Sequence, residues 1–130
     1  MIHVGFTGTQ DGMTDRQIKA ASVIIGMFSK CPWTLHHGDC IGADEDMHSM
    51  AAGRAKTVLH PPSNPAKRAY CEADEVLPAL PYLERNRAIV DACGILVATP
   101  KGLQEELRSG TWATVRYARK RGVPVIVLDP

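Results

Sequence analysis

The sequence predicts an α/β fold: a Rossmann-like, open, mainly parallel five-stranded sheet with helices on both faces. Three observations predict it. Short apolar runs alternate along the whole chain with longer segments of helical spacing. The run Gly94–Thr99 is apolar at consecutive positions, as in a strand covered on both faces. Several runs end in small or polar residues that open directly into a helix.

The elements follow in order. Ile2–Thr7 is the first strand, ending in the breaker-rich Gly8-Thr9-Gln10-Asp11-Gly12. Thr14 stands three residues before Gln17, a capping box, and Ile18, Ala21, Ile25 and Phe28 then mark one helical face up to Pro32. Trp33–His37 is a second strand, closing at Gly38-Asp39-Cys40-Ile41-Gly42. A helix over Ala43–Arg54 and a strand over Lys56–His60 come next. Ser63–Pro81 is proline-rich, and the expectation there is a loop with one helical turn around Ala66–Ala73. Tyr82–Cys93 reads as a helix, Gly94–Thr99 as the central strand, and Pro100–Ser109 as a polar loop. Gly110–Arg121 is the last helix, stopped by Gly122 and Pro124, and Val125–Leu128 the last strand. Right-handed crossovers restrict the topology, and residues 1–130 form one expected domain.

Composition narrows the function. The chain has 130 residues, 45% hydrophobic and 22% charged, with 15 Lys and Arg against 14 Asp and Glu. A net charge of +1 argues against a polybasic nucleic-acid binder, whose affinity comes from neutralising many phosphates. No apolar run approaches the ~20 residues that span a bilayer, and no secretion signal is visible at Met1–Phe6. Cys31, Cys40, Cys71 and Cys93 are too dispersed for a disulfide framework, so reduced thiols and a cytoplasmic location are expected.

In an open parallel sheet the ligand crevice lies at the carboxyl ends of the strands. Three such ends carry small or polar residues: Gly8, Thr9 and Gln10; Gly38, Asp39, Cys40, Gly42, Ala43 and Asp44; and Thr99 and Pro100 followed by Ser109, Gly110 and Thr111. Small residues let backbone N–H groups approach a ligand, and helix N-termini favour negative charge, so these corners describe an anion site, most economically for a phosphate. Neither G-x-G-x-x-G nor G-x-x-x-x-G-K-[ST] occurs. Arg85, early in the fourth helical segment, is placed to grip a phosphate with two parallel hydrogen bonds. Asp39 is a candidate for a ribose hydroxyl or a cation; Asp44 and Glu45 also answer the dipole of the helix they start. Ser109 and Thr111 serve equally as phosphate contacts or as helix caps. His36 and His37 point to opposite faces of a strand and cannot share one ion, so no metal is expected. A hydrolase triad has no support.

These residues carry a resemblance. The segment Tyr82–Pro100 (YLERNRAIVDACGILVATP) with Ser109-Gly110-Thr111, together with Val4–Thr9 and His37–Asp44, resembles the SLOG superfamily. That group includes the LOG nucleotide phosphoribohydrolases and DNA-processing protein A. In the LOG branch a Glu-Arg precedes P-G-G-x-G-T-x-x-E. By resemblance Glu84-Arg85 supplies the first part, with Arg85 gripping nucleotide, and Gly110-Thr111 the phosphate-holding step. This chain departs by an insert, Lys101–Ser109, and by Thr114 at the position of the motif's Glu. Thr carries no carboxylate to support charge building on a ribose, so the resemblance favours binding over hydrolysis.

The expected function is therefore binding of a nucleotide or nucleotide-derived phosphate ligand, as sensor, carrier or sequestering protein. The alternative is a nucleoside 5'-monophosphate N-glycosidase or base transferase using Arg85, Glu84 and Asp39. No cofactor and no membrane are expected, and nucleic acid is not an expected partner because no basic stripe interleaves with the aromatics. Trp112 with Tyr117 is a candidate homodimer contact.

Overall fold

A computed structural model describes residues 1–130. The elements are β1 (Ile2–Gly8), α1 (Asp15–Phe28), β2 (Trp33–His37), α2 (Ala43–Ala51), β3 (Lys56–Leu59), β4 (Glu75–Val76), α3 (Tyr82–Ala92), β5 (Ile95–Thr99), α4 (Gly110–Lys120) and β6 (Val125–Val127). A single 3-10 turn, Pro65–Lys67, lies between β3 and β4. All strand pairs are parallel, in the order β4-β3-β2-β1-β5-β6. The order reverses direction between β1 and β5, which is where an open sheet forms its crevice.

The sheet has six strands where five are expected. The additional one, β4, is only two residues long and both are exposed, too short to show alternation. The helical turn expected around Ala66–Ala73 is confined to Pro65–Lys67, because Asp39 takes the Arg68 side chain and the Cys71 N–H and draws the chain out. Helix α2 stops at Ala51, short of Arg54, as Gly53 turns the chain at φ +80°.

Strand alternation divides the core into two halves. Val4, Phe6, Leu35 and Val97 pack with Ala21, Ile25 and Met47 of α1 and α2. Leu96 and Ala98 pack on the other face with Ile89, Val90, Trp112, Val115 and Ala118 of α3 and α4. Gly5 lies under α3, where a Cβ would stand 2.7 Å from the Cys93 sulfur. Gln17 belongs to the first half although it is polar. It is fully buried, caps α1 through its Oε1, and donates from Nε2 to the carbonyls of Pro100 (2.9 Å) and Leu128 (3.1 Å). One side chain thus ties α1 to the ends of β5 and β6.

Trp112 is not free for a homodimer contact. It is buried in the α3–α4 half of the core and its Nε1 donates to Gly102, while the Tyr117 hydroxyl donates to Asp91. No helix is long and apolar enough to cross a membrane.

Candidate functional site

A cleft of about 250 Å3 opens at the carboxyl edge of the sheet, at the β1–β5 reversal. Gly8, Thr9 and Gln10 line it from β1, Gly38, Cys40 and Asp44 from the β2–α2 turn, and Ser109, Gly110 and Thr111 from the start of α4. Tyr82, Arg85, Asn86 and Ile89 come from α3. Three of the expected corners and Arg85 therefore meet in one cleft.

Other expected residues lie outside its lining. Gly42, at φ +100°, sits against the backbone of Gln10, where a Cβ would collide with the Gln10 carbonyl. Ala43 packs beside Gly8, and its N–H is taken by the Thr9 carbonyl. Thr99 accepts the Thr9 N–H at its carbonyl, and Pro100 accepts from Gln17. Asp39 is fully buried and turned away, gripping Arg68 at 2.7 Å and the Cys71 N–H at 2.9 Å. Glu84 is exposed and lies outside the cleft lining. Asp39 and Glu84, both named as catalytic candidates, are thus held apart from the cleft.

Tyr82, Asn86, Lys101 and Glu106 also line the cleft, although sequence reasoning did not select them. Tyr82, Arg85, Asn86 and Ile89 share one helical face, a signal available in the sequence once Arg85 is chosen. Lys101 and Glu106 arrive on the insert, which α4 fastens through Arg119–Glu105 (2.9 Å) and Trp112–Gly102.

Arg85 is 3% exposed. Its Nε donates to the Asn86 side chain (2.8 Å), and Nη1 to the carbonyls of Gly38 (2.5 Å) and His60 (3.4 Å). Nη2 meets only the Cys40 sulfur, at 3.5 Å. Gly38 is required here because a Cβ would drive into the guanidinium. The Tyr82 ring lies 4.6 Å under the cation. Arg85 takes part in no ion pair. A buried cation hydrogen-bonded only by neutral groups keeps charge to offer to whatever enters the cleft.

Beside it, also against Gly38 and Cys40, Asp44 is 6% exposed. Its Oδ2 accepts the Cys40 N–H at 3.2 Å, whereas Oδ1 has no partner. Burial lifts this carboxyl from 3.8 to about 6, with Arg85 pulling the other way. Burial also raises the Cys40 thiol, against the pull of Arg85, so it stays protonated at neutral pH. At α4 the Ser109 hydroxyl caps Trp112, and the N–H groups of Gly110 and Thr111 have no protein acceptor.

All five histidines pair with one another beside this site. His36 faces α3 and bonds His3 (2.9 Å) and His60 (3.0 Å); His37 faces α2 and bonds His48 (2.9 Å). The opposite-face expectation for His36 and His37 holds. His37, His48 and Cys71 nonetheless bring three potential ligand atoms within 4.8 Å. The hydrogen bonds assign the protons. Asp39 N–H donates to His37 Nδ1, so His37 carries its proton on Nε2 and donates to His48 Nδ1. His48 Nε2–H then donates to the Glu72 carbonyl. With Nε2 protonated, His37 has no lone pair to offer an ion, and the cluster is a closed hydrogen-bonded chain.

Comparison with known proteins bears on the fold. No protein-family model and no curated protein matches the chain. Solved structures do. The molybdenum cofactor binding protein of the phototrophic bacterium Rippkaea orientalis superposes with a TM-score of 0.76 at 24% identity, over 99% of this chain and 77% of that one. The Moco carrier protein of Chlamydomonas reinhardtii gives 0.68 at 23%, over 98% and 75%. DNA processing protein A of Helicobacter pylori, described for its single-stranded DNA binding mode, gives 0.69 at 19%, over 97% and 64%. The likeness shows that the chain shares their fold, a Rossmann-like α/β sheet. The likeness to a DNA-binding protein gives no support to setting nucleic acid aside as a partner.

Proposed function

We propose that the cleft binds a nucleotide or a nucleotide-derived phosphate ligand, and that the protein serves as its sensor, carrier or sequestering protein. The observation that carries this reading is Arg85, a buried cation that lines the cleft and makes no direct ion pair, its Nη2 meeting only the Cys40 sulfur. A phosphate there would take the free guanidinium N–H groups on one side and the Gly110 and Thr111 N–H groups on the other. Two of the structural neighbours are named for binding or carrying the molybdenum cofactor, which fits a carrier of a small molecule. The four unpaired cysteines fit a reducing, cytoplasmic setting.

The N-glycosidase alternative loses the carboxylates assigned to it, since Glu84 is exposed and Asp39 is saturated by Arg68 and Cys71. Thr114 does not replace them; its hydroxyl donates to Gly110 within α4.

Calorimetric titration with nucleoside monophosphates, cyclic nucleotides and inorganic phosphate tests the proposal. Saturable binding that weakens at least about tenfold in Arg85→Lys is expected, since Lys cannot offer the planar two-point grip. Silence from every phosphate compound would overturn it.

A further inference from the structure

Resting on the phosphate-site reading, we infer that Asp44 is the selectivity element of the cleft: its free Oδ1 accepts a hydrogen bond from a hydroxyl or N–H of the ligand, so the preferred ligand is a phosphate ester bearing such donors and not a bare anion. The Asp44 side chain lines the cleft together with Arg85. One carboxylate oxygen is fixed by the Cys40 N–H; the other is buried and has no partner in the protein. Leaving a charged acceptor without a donor is costly, and folded proteins keep such groups where a ligand completes them. No lysine, arginine or histidine forms an ion pair with it, so the missing donor is not a protein cation.

The two charges divide the ligand between them. Arg85 attracts the phosphoryl oxygens, whereas the Asp44 oxygen repels any further anionic or acceptor atom placed against it. A sugar hydroxyl or a ring N–H satisfies Oδ1; sulfate, a tetrahedral anion with no proton to donate at neutral pH, cannot. Buried acceptors of this kind discriminate strongly because an analogue lacking the donor leaves them unpaired.

The test is Asp44→Asn, with the four ribonucleoside monophosphates, ribose 5-phosphate and sulfate as probes. Asn can keep its carbonyl on the Cys40 N–H while turning an NH2 into the cleft, converting the free acceptor into a donor. In the wild-type protein at least one of the esters should bind tenfold or more tighter than sulfate. In the variant that ester should weaken at least tenfold, and sulfate should hold or improve. Thermal melting of the unliganded variant should show a Tm no lower than wild type, which separates lost recognition from lost folding. Equal ester affinities in the two proteins would overturn the role of Asp44 while leaving the phosphate site standing. Absence of binding by any phosphate to the wild type would overturn both.

Discussion

Asp44→Asn also makes a stability prediction whose sign is unusual for a carboxylate. Burial holds the Asp44 carboxyl at about 6 against 3.8 in the unfolded chain. Between those values the folded chain keeps a proton that the unfolded chain has lost, so stability falls as pH rises through the window. A shift of this size corresponds to at most about 3 kcal/mol, and access of water through the cleft reduces it to the order of 2 kcal/mol. Asn carries no charge and escapes this loss. Urea denaturation of both proteins at steps from pH 4 to 7 should show a small difference near pH 4. Above pH 6 the variant should gain on the order of 2 kcal/mol over that starting difference. The difference isolates Asp44 because every other titrating group is shared. A difference that stays constant across pH would refute the reasoning, since it would mean that the carboxyl titrates alike in the folded and unfolded chains.

Gln17→Leu should cost about 2–3 kcal/mol in chemical denaturation, because it strips the Pro100 and Leu128 carbonyls and the Thr14 N–H of a buried partner; a neutral result would refute the strut. Thr99→Val should be neutral or stabilising by up to about 1 kcal/mol, since the Thr99 hydroxyl is buried without a partner and the isosteric methyl removes that burden. Acid should unfold the protein readily. Burial, with neighbouring histidines adding to it, lowers His36 to about 4 and His37 to about 3, and burial with Arg85 lowers His60 to about 4. The unfolded chain therefore takes up protons first, and stability is lost as pH falls from about 6.5 toward 4. Thermal melts over that range should show a steep decline in Tm, with part of the slope removed in His36→Gln.

The arrangement of elements was legible because periodicity is a local signal. The α1 face, the doubly apolar run of β5 and the Gly-Pro stop after α4 all appear within a dozen residues of sequence. The cleft corners were legible for a similar reason: each is a short cluster of small and polar residues at a strand end, and the topology brings such ends to one edge of the sheet. What escaped depends on distant partners. Asp39 reads as a ligand group because its glycine-rich turn resembles a binding loop, but its answering charge, Arg68, comes from beyond β3. Gln17 reads as a cap, although extending the Ala21–Ile25 spacing backwards places it on the buried stripe. His36 and His37 read as residues that cannot share an ion, and the pairing of all five histidines emerges only once β1, β2, β3 and α2 bring them together.

Once these pairings are known, buried polar groups separate into two kinds. Gln17, Asp39, His37 and His48 each find protein partners on both sides, and that completeness marks them as parts of the scaffold. Arg85 and Asp44 are equally buried, yet Arg85 Nη2 meets only a sulfur and Asp44 Oδ1 has no partner, and both residues line the same cleft. The unmatched Thr99 hydroxyl is a useful contrast, because it lies behind Gly8 and outside the cleft lining. Incomplete satisfaction alone therefore does not mark a binding site. Its coincidence with the lining of an accessible cavity, beside a group of opposite charge, is what favours Arg85 for the anionic part of the proposed ligand and Asp44 for its donor.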